Sequence, residues 1–334
     1  MQVITLRYKL KEPVSYYSFF HYFRKRFIMK KIIITGATGL IGEKLCRELS
    51  ARGDELTIFT RNVENAKKSL PFINNFIEWD YKNPAHWQSY IEDSDAIIHL
   101  AGANLFGKRW DDNYKKKIIE SREISTRNLV EAIKKTDKKP QAFICASAVG
   151  IYGNCGDEIL TENSLPGNDF LSQVCKTWED EAKNVEKYSV RRVSVRTGIV
   201  LSPDDGALKQ MLLPFRLFVG GPLGTGKQWF PWIHIDDLVN IFIKVLDDNS
   251  FNGPVNAVAP NPVKMNEFAE TLGKVLHRPS FFKVPEFALK FVVGEGAESI
   301  LASLRVIPEK LMQSKFNFKF EKLKPALENV LNKR

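Results

Sequence analysis

Long apolar runs are missing from this 334-residue chain, because Lys, Asp, Asn or Gly breaks every hydrophobic stretch before it reaches the roughly 20 residues of a membrane-crossing helix. No helical membrane span is expected. Cysteine is also scarce: the four residues Cys46, Cys145, Cys155 and Cys175 form no C-x-x-C pair and no histidine-paired metal spacing. No metal site is expected, and a reducing, cytoplasmic setting suits these thiols. Acidic residues are outnumbered, 39 Asp and Glu against 49 Lys and Arg, which gives a net charge of +10. An excess of that size raises nucleic acid as a partner. Its distribution argues against one: residues 1 to 30 hold seven Lys and Arg against Glu12 alone, and no recognition motif accompanies that cluster.

What is present is enough apolar content, 44%, to bury one large core or two linked ones. Residues 1 to 28 stand apart, rich in Tyr and Phe without a helical or alternating period, and Met29 directly precedes the first strand pattern. They read as a disordered extension, as a stretch upstream of the true start, or as a targeting segment. They lack the unbroken apolar region and small-residue cleavage site of a signal peptide. From Lys31 onward short β-branched runs alternate with helical patterns, which predicts a doubly wound α/β fold with a parallel sheet. The strands are expected at Lys31 to Thr35, Glu55 to Thr60, Phe76 to Trp79, Ala96 to Leu100, Ala142 to Ala146 and Arg192 to Leu201. Helices are expected at Leu40 to Ala51, Asn113 to Lys134, Phe170 to Glu186 and Asp237 to Leu246. A core over residues 29 to 202, with contributions from about 229 to 258, would be followed by a smaller substrate-side region at 203 to 334. The latter ends in a helical part from about 280, with two short helices from Glu298 on.

The strongest motif is a strand, Ile32-Ile33-Ile34-Thr35, running into Gly36-Ala37-Thr38-Gly39-Leu40-Ile41-Gly42 and then an amphipathic helix. Glycines in this G-x-x-G-x-x-G context permit a tight turn, bring a pyrophosphate to the helix N-terminus and let the helix sit close on the sheet. A dinucleotide cradle built from Gly36, Thr38, Gly39, Leu40 and Ile41 is expected. The second strand ends in Thr60-Arg61-Asn62. A cation there, with no carboxylate, suits a ribose 2′-phosphate, so NADP is expected in preference to NAD.

With these residues in place the chain resembles the extended short-chain dehydrogenases. Trp79-Asp80 is similar to that family's third-strand end, where Asp80 would approach the adenine. Leu100-Ala101-Gly102 is similar to its fourth-strand segment along the ribose and nicotinamide. HLAGANLFGKRW, SREIST, SAVGIYG, VCKTWE, VRTGIVL and the long block LLPFRLFVGGPLGTGKQWFPWIHIDDL resemble the subgroup of sugar-nucleotide-epimerase-like proteins with a C-terminal domain of unknown function. The likeness extends over roughly residues 30 to 332.

The family's hydride chemistry uses a Ser or Thr and a Tyr-x-x-x-Lys pair, in which Lys lowers the Tyr pKa so that the phenol exchanges a proton near neutral pH. In the register set by Glu179 these two positions are Leu171 and Cys175, so the resemblance implies an active site without the usual pair. Ser147 and Tyr152 become the candidate catalytic residues. Ser147 is either the substrate-holding hydroxyl or a strand-end cap, and Tyr152 either exchanges a proton or walls the pocket. Cys175 reads as a small buried hydrophobe, and Asp236 as the N-cap of the helix after His234. The substrate side is expected to use Arg216, Lys227, Trp229 and Trp232, with Arg109 and Trp110 opposite, while Arg122 reaches cofactor phosphate. Two functions follow from the resemblance: an NADP-dependent oxidoreductase or epimerase acting on a small polar substrate, or a catalytically silent NADP-binding sensor or scaffold. Neither a membrane nor a nucleic acid is expected as a partner, and the oligomeric state is left open.

Overall fold

In the first strand, β1 (Lys31–Thr35), Ile32 and Ile34 enter one apolar cluster and Ile33 another, as the two-residue period of a strand buried on both faces requires. The same division recurs in β4 (Ala96–His99) and β5 (Ala142–Ala148), introduced after β2 (Glu55–Thr60) and β3 (Asn75–Glu78) in chain order. The computed structural model describes residues 29–105 and 107–332. Expectations about residues 1–28 lie outside the described residues.

Seven strands form one parallel sheet, ordered from one edge as Gly253–Ala257, Arg191–Thr197, β5, β4, β1, β2 and β3. Helices Leu40–Arg52 and Ile235–Asp247 cover one face, while Asp112–Lys135 and Phe170–Lys183 cover the other. The chain reverses its direction of winding beside β1, which pairs with both β2 and β4; in wound parallel sheets the crevice for ligands lies outside the carboxyl ends of the strands at such a point. Helix ends are set locally. Asp111 and Asp169 accept hydrogen bonds from Tyr114 N and Ser172 N at 2.7 and 2.8 Å, and Gly53 closes the first helix at φ 95°.

Three elements differ from the sequence expectation. The run Arg192 to Leu201 is not one strand: Arg191–Thr197 stays in the large sheet, and Ile199–Leu201 leaves it to pair with Trp232–His234. The break is at Gly198, where a Cβ would lie 2.4 Å from Pro231 O, so only glycine lets the two segments cross. A helix occupies Gly206–Arg216 within the Gly/Pro-rich region, with Pro214 in its last turn. The helix after His234 begins at Ile235 and its cap is His234, whose ring nitrogen accepts from Asp236 N at 3.0 Å. Asp236 instead pairs with Lys44.

The C-terminal part has its own core. Helices Gly206–Arg216, Met265–Leu276 and Leu323–Asn332 enclose Phe230, Trp232 and Phe268. Glu298 lies inside helix Gly296–Leu301, and two further short helices, Glu309–Gln313 and Leu323–Asn332, follow it with a loop between them. The chain between the last two is tied to the core by Asp237, a fully buried carboxylate that accepts from Lys319 N and Phe320 N at 2.7 and 2.9 Å. Among the described residues no helix is long and apolar enough to cross a membrane.

Candidate active site and cofactor cleft

The glycine turn stands at the mouth of the crevice. Gly36, at φ 71°, lies so close to the next strand's end that a Cβ would come within 2.8 Å of Ala101 N, and a Cβ on Gly42 would meet Gly36 O at 2.4 Å. These two contacts hold the start of the helix against the strand ends. The helix N-cap is Gly39, extended and without a side chain to bond the first-turn amides. Those amides and the positive end of the helix dipole are what a pyrophosphate uses, so the residues fit a dinucleotide. Thr38 is exposed, and Leu40 and Ile41 are half-buried at the same turn.

Arg61 is exposed at the end of β2, and it makes no ion pair among the described residues. Asn62 beside it is committed to capping the next helix, accepting from Asn65 N at 2.9 Å. Asp80 is exposed just past β3, its carboxylate accepting from Lys82 N at 3.0 Å. Along the other wall run Leu100, Ala101 and Gly102, with the Arg122 guanidinium directly behind Gly102. Arg122 is buried and donates to Ile118 O and Ala103 O at 3.1 Å each, and it stacks over Trp178 at 5.0 Å. Its hydrogen bonds thus fix the wall itself. Beneath, His99 joins Thr35 to Thr126 through bonds of 2.7 and 3.1 Å, and burial together with the Arg122 charge pushes its imidazole down to about 3. It is neutral at any ordinary pH.

At the end of β5 the structure joins the candidates Ser147 and Tyr152 through Glu179 and Arg196, a link absent from the sequence analysis. Ser147 donates to Glu179 Oε1 at 2.7 Å, and Arg196 grips both oxygens of that carboxylate at 2.9 Å. Arg196 also donates to the Tyr152 hydroxyl at 2.9 Å, which donates to Asn256 Oδ1 at 2.6 Å. Burial opposes the charge on Arg196, but its bonds to Glu179 more than reverse this and raise its pKa above the usual guanidinium value. Tyr152 is 1% exposed and its phenol is pushed up to about 12 by burial. Leu171 packs against Gly150, and burial and the Glu179 charge push the Cys175 thiol to about 12. The helical spacing of 171, 175 and 179 on one face was the signal that could have revealed Glu179.

Two of the expected substrate-side residues lie in the core. Trp110 is a core residue that donates from Nε1 to Leu105 O at 2.6 Å and meets Phe170 edge-on at 5.0 Å. Trp232 is 1% exposed, inside the C-terminal core. Trp229 is half-buried, and both Lys264 and Arg305 stack on its ring, at 5.0 and 4.6 Å, while its Nε1 donates to Asp157 at 2.6 Å. Arg109 is exposed against Gly294, and Arg216 and Lys227 are exposed elsewhere on the Gly/Pro-rich region.

A wound parallel sheet with a glycine turn at its switch point defines a dinucleotide-binding fold class, and comparison with known proteins narrows it. Residues 32–258 match the NAD dependent epimerase/dehydratase family, and 284–330 match a domain of unknown function, DUF1731. The chain belongs to the NAD dependent epimerase/dehydratase family. It is 38% identical over 302 residues, 90% of this chain and 86% of the other, to the Arabidopsis thaliana epimerase family protein SDR39U1 homolog, chloroplastic. It is 36% identical to the Bacillus subtilis epimerase family protein YfhF, over 91% of this chain and 98% of that one. The crystal structure of the human epimerase family protein SDR39U1 (isoform 2) with NADPH superposes with a TM-score of 0.83 at 33% identity, covering 91% of this chain and 100% of the human one.

Proposed function

We propose that the chain is an NADP-dependent oxidoreductase or epimerase-like enzyme that acts on a hydroxyl-bearing carbon of a small polar substrate, without a Tyr-Lys pair. The observation that carries this reading is the uncapped helix start at Gly39 facing the crevice, with the Arg61 cation at the end of β2. Arg61 would hold the 2′-phosphate, Gly36 to Ile41 the pyrophosphate, Asp80 the adenine side, and Leu100 to Gly102 the ribose and nicotinamide. The NADPH complex of the human relative supports this choice of cofactor.

A bound nicotinamide supplies the hydride acceptor or donor. Ser147 is the residue we assign to the substrate oxygen. Its own proton is directed at Glu179, so its oxygen is left to accept from a substrate hydroxyl. Ser147 so oriented holds the substrate hydroxyl, and the proton that leaves it on oxidation goes to water. Arg196 holds the Glu179 carboxylate in place. Tyr152, closed between Arg196 and Asn256, is a positioning residue in this scheme.

Burial of the Tyr152 phenol, with Leu171 and Cys175 at the usual Tyr and Lys positions, favours a second reading, a silent NADP-binding sensor. Incubation with NADP⁺ and a panel of nucleotide sugars and hydroxy acids, followed by nicotinamide absorbance, separates the two. Turnover that Ser147→Ala removes while NADP affinity is retained supports the enzyme. Tight NADP binding with no turnover on any member supports the sensor.

A further inference from the structure

Glu162, in the turn after strand Ile159–Leu160, is 4% exposed and makes no ion pair among the described residues. Its turn is closed by local bonds, Thr161 N donating to Ser164 Oγ at 3.0 Å and Ser164 N to Thr161 O at 3.1 Å. A buried carboxylate without a counter-ion is costly, and burial raises its pKa against the backbone bonds that favour the ionised form. Those bonds are lopsided. Oε1 accepts two backbone amides, Asn256 N at 3.0 Å and Lys310 N at 3.3 Å, whereas Oε2 is buried without a partner. Asp237, which also receives two amides of the C-terminal part, uses one oxygen for each.

The two amides that meet at Glu162 Oε1 belong to different regions of the chain. Asn256 lies on strand Gly253–Ala257 at the edge of the large sheet, in register with Arg196 on the next strand. Lys310 lies within residues 284–330, the match to the domain of unknown function. That region reaches Asn256 a second time, because Asn256 Nδ2 donates to Ile307 O at 3.1 Å. Asn256 is fully buried, and with its N–H and Nδ2 so held its Oδ1 takes the Tyr152 hydroxyl. Glu162 meets the same polar chain from another side, since its backbone O accepts from Arg196 Nη1 at 3.3 Å. Arg196 Nη1 is thereby divided between Tyr152 and Glu162, while Nε and Nη2 serve Glu179. One residue touches the C-terminal region, the sheet edge and the guanidinium that holds Glu179.

We infer that Glu162 is a positioning residue: by accepting both amides on one oxygen it lets the C-terminal region set Asn256, Tyr152 and Arg196, and through them the carboxylate that orients Ser147. Only its effect on turnover rests on the role given to Ser147 above. The test uses the full chain with isotope-labelled tyrosine, Tyr152 being assigned through Tyr152→Phe, and reads by NMR how fast the Tyr152 hydroxyl proton exchanges with solvent. Glu162→Gln keeps the accepting oxygen and should exchange as the wild type does, because the acceptor and not the charge holds the amides. Glu162→Ala should speed the exchange about 10-fold, the equivalent of one hydrogen bond. Glu162→Asp, shorter by one methylene, carries the same expectation should Glu162→Ala fail to fold. Asp237→Asn loosens the same C-terminal region at Lys319 and Phe320, so it should lower the melting temperature and leave Tyr152 exchange unchanged. On a substrate that the wild type turns over, Glu162→Ala should lower kcat about 10-fold with KM held, and Glu162→Gln should restore it. The inference is overturned if Glu162→Ala exchanges like the wild type, if Glu162→Gln exchanges as fast as Glu162→Ala, or if Asp237→Asn moves Tyr152 as much. Turnover absent on every substrate, beside the expected Tyr152 exchange, supports Glu162 as the link and overturns only the role of Ser147.

Discussion

Ser147 and Glu179 are joined by a hydrogen bond of 2.7 Å, although 32 residues separate them in sequence. The serine lies at the end of a central strand and the glutamate on the helix packed across it. Arg196, on the neighbouring strand, balances the carboxylate.

Removing the hydroxyl with Ser147→Ala should lower turnover by about 10² to 10³, as loss of one positioned polar group at a reacting oxygen does, with little change in NADP affinity. Glu179→Gln should lower turnover and also cost about 3 to 5 kcal/mol of stability, because the buried Arg196 loses its counter-charge. Steady-state kinetics beside chemical denaturation separate the two effects.

Tyr152→Phe should leave turnover within a few-fold of the wild type and cost about 1 to 3 kcal/mol, since Asn256 and Arg196 lose a buried partner. It also has a pH signature. The phenol is pushed up to about 12 in the fold, against roughly 10 when unfolded. Below the unfolded value both states keep the proton, so stability is unaffected. Above it the unfolded state ionises first, so stability falls as pH rises through the interval, by about 1.4 kcal/mol per unit of difference. Denaturation curves in alkaline buffers should show this slope in the wild type and not in Tyr152→Phe.

Thiol chemistry gives an independent check on the helix that lacks the Tyr-Lys pair. Burial pushes Cys46 and Cys175 to about 12, whereas Cys155 is partly exposed. Alkylation of the native protein near neutral pH should modify Cys155 first and reach Cys46 and Cys175 only on unfolding, as peptide mapping would record. Cys175→Ala should cost about 1 kcal/mol of stability and leave turnover intact; abolished turnover with normal melting would establish a thiol mechanism instead.

The wound sheet was legible because its signals are local: β-branched runs, a glycine turn, and helices with an apolar stripe. Where the outcome depended on distant chain, sequence was silent. Nothing in Arg192 to Leu201 marks Gly198 as the point where Pro231 crosses, and Pro214 disguised a helix that contacts across the C-terminal core hold together. Glu179 served in sequence only to set the register of its helix, and its bonds to Arg196 and Ser147 come from chain far from it. Trp110 and Trp232 looked like ring surfaces for a ligand because sequence cannot tell an aromatic wall from an aromatic core. Arg61 was visible because the end of the second strand is a fixed place in the fold.

That position also provides the most direct test. Calorimetric titration of the full chain with NADPH and NADH, repeated on Arg61→Ala, measures what the cation at the end of β2 does. A hydrogen-bonded charge pair with the 2′-phosphate is worth about 1.5 to 3 kcal/mol, so NADPH should bind about 10- to 100-fold more tightly than NADH, and Arg61→Ala should erase that margin while leaving NADH affinity nearly unchanged. Equal affinities for the two cofactors, unaltered by Arg61→Ala, would contradict the assignment of this cleft to NADP.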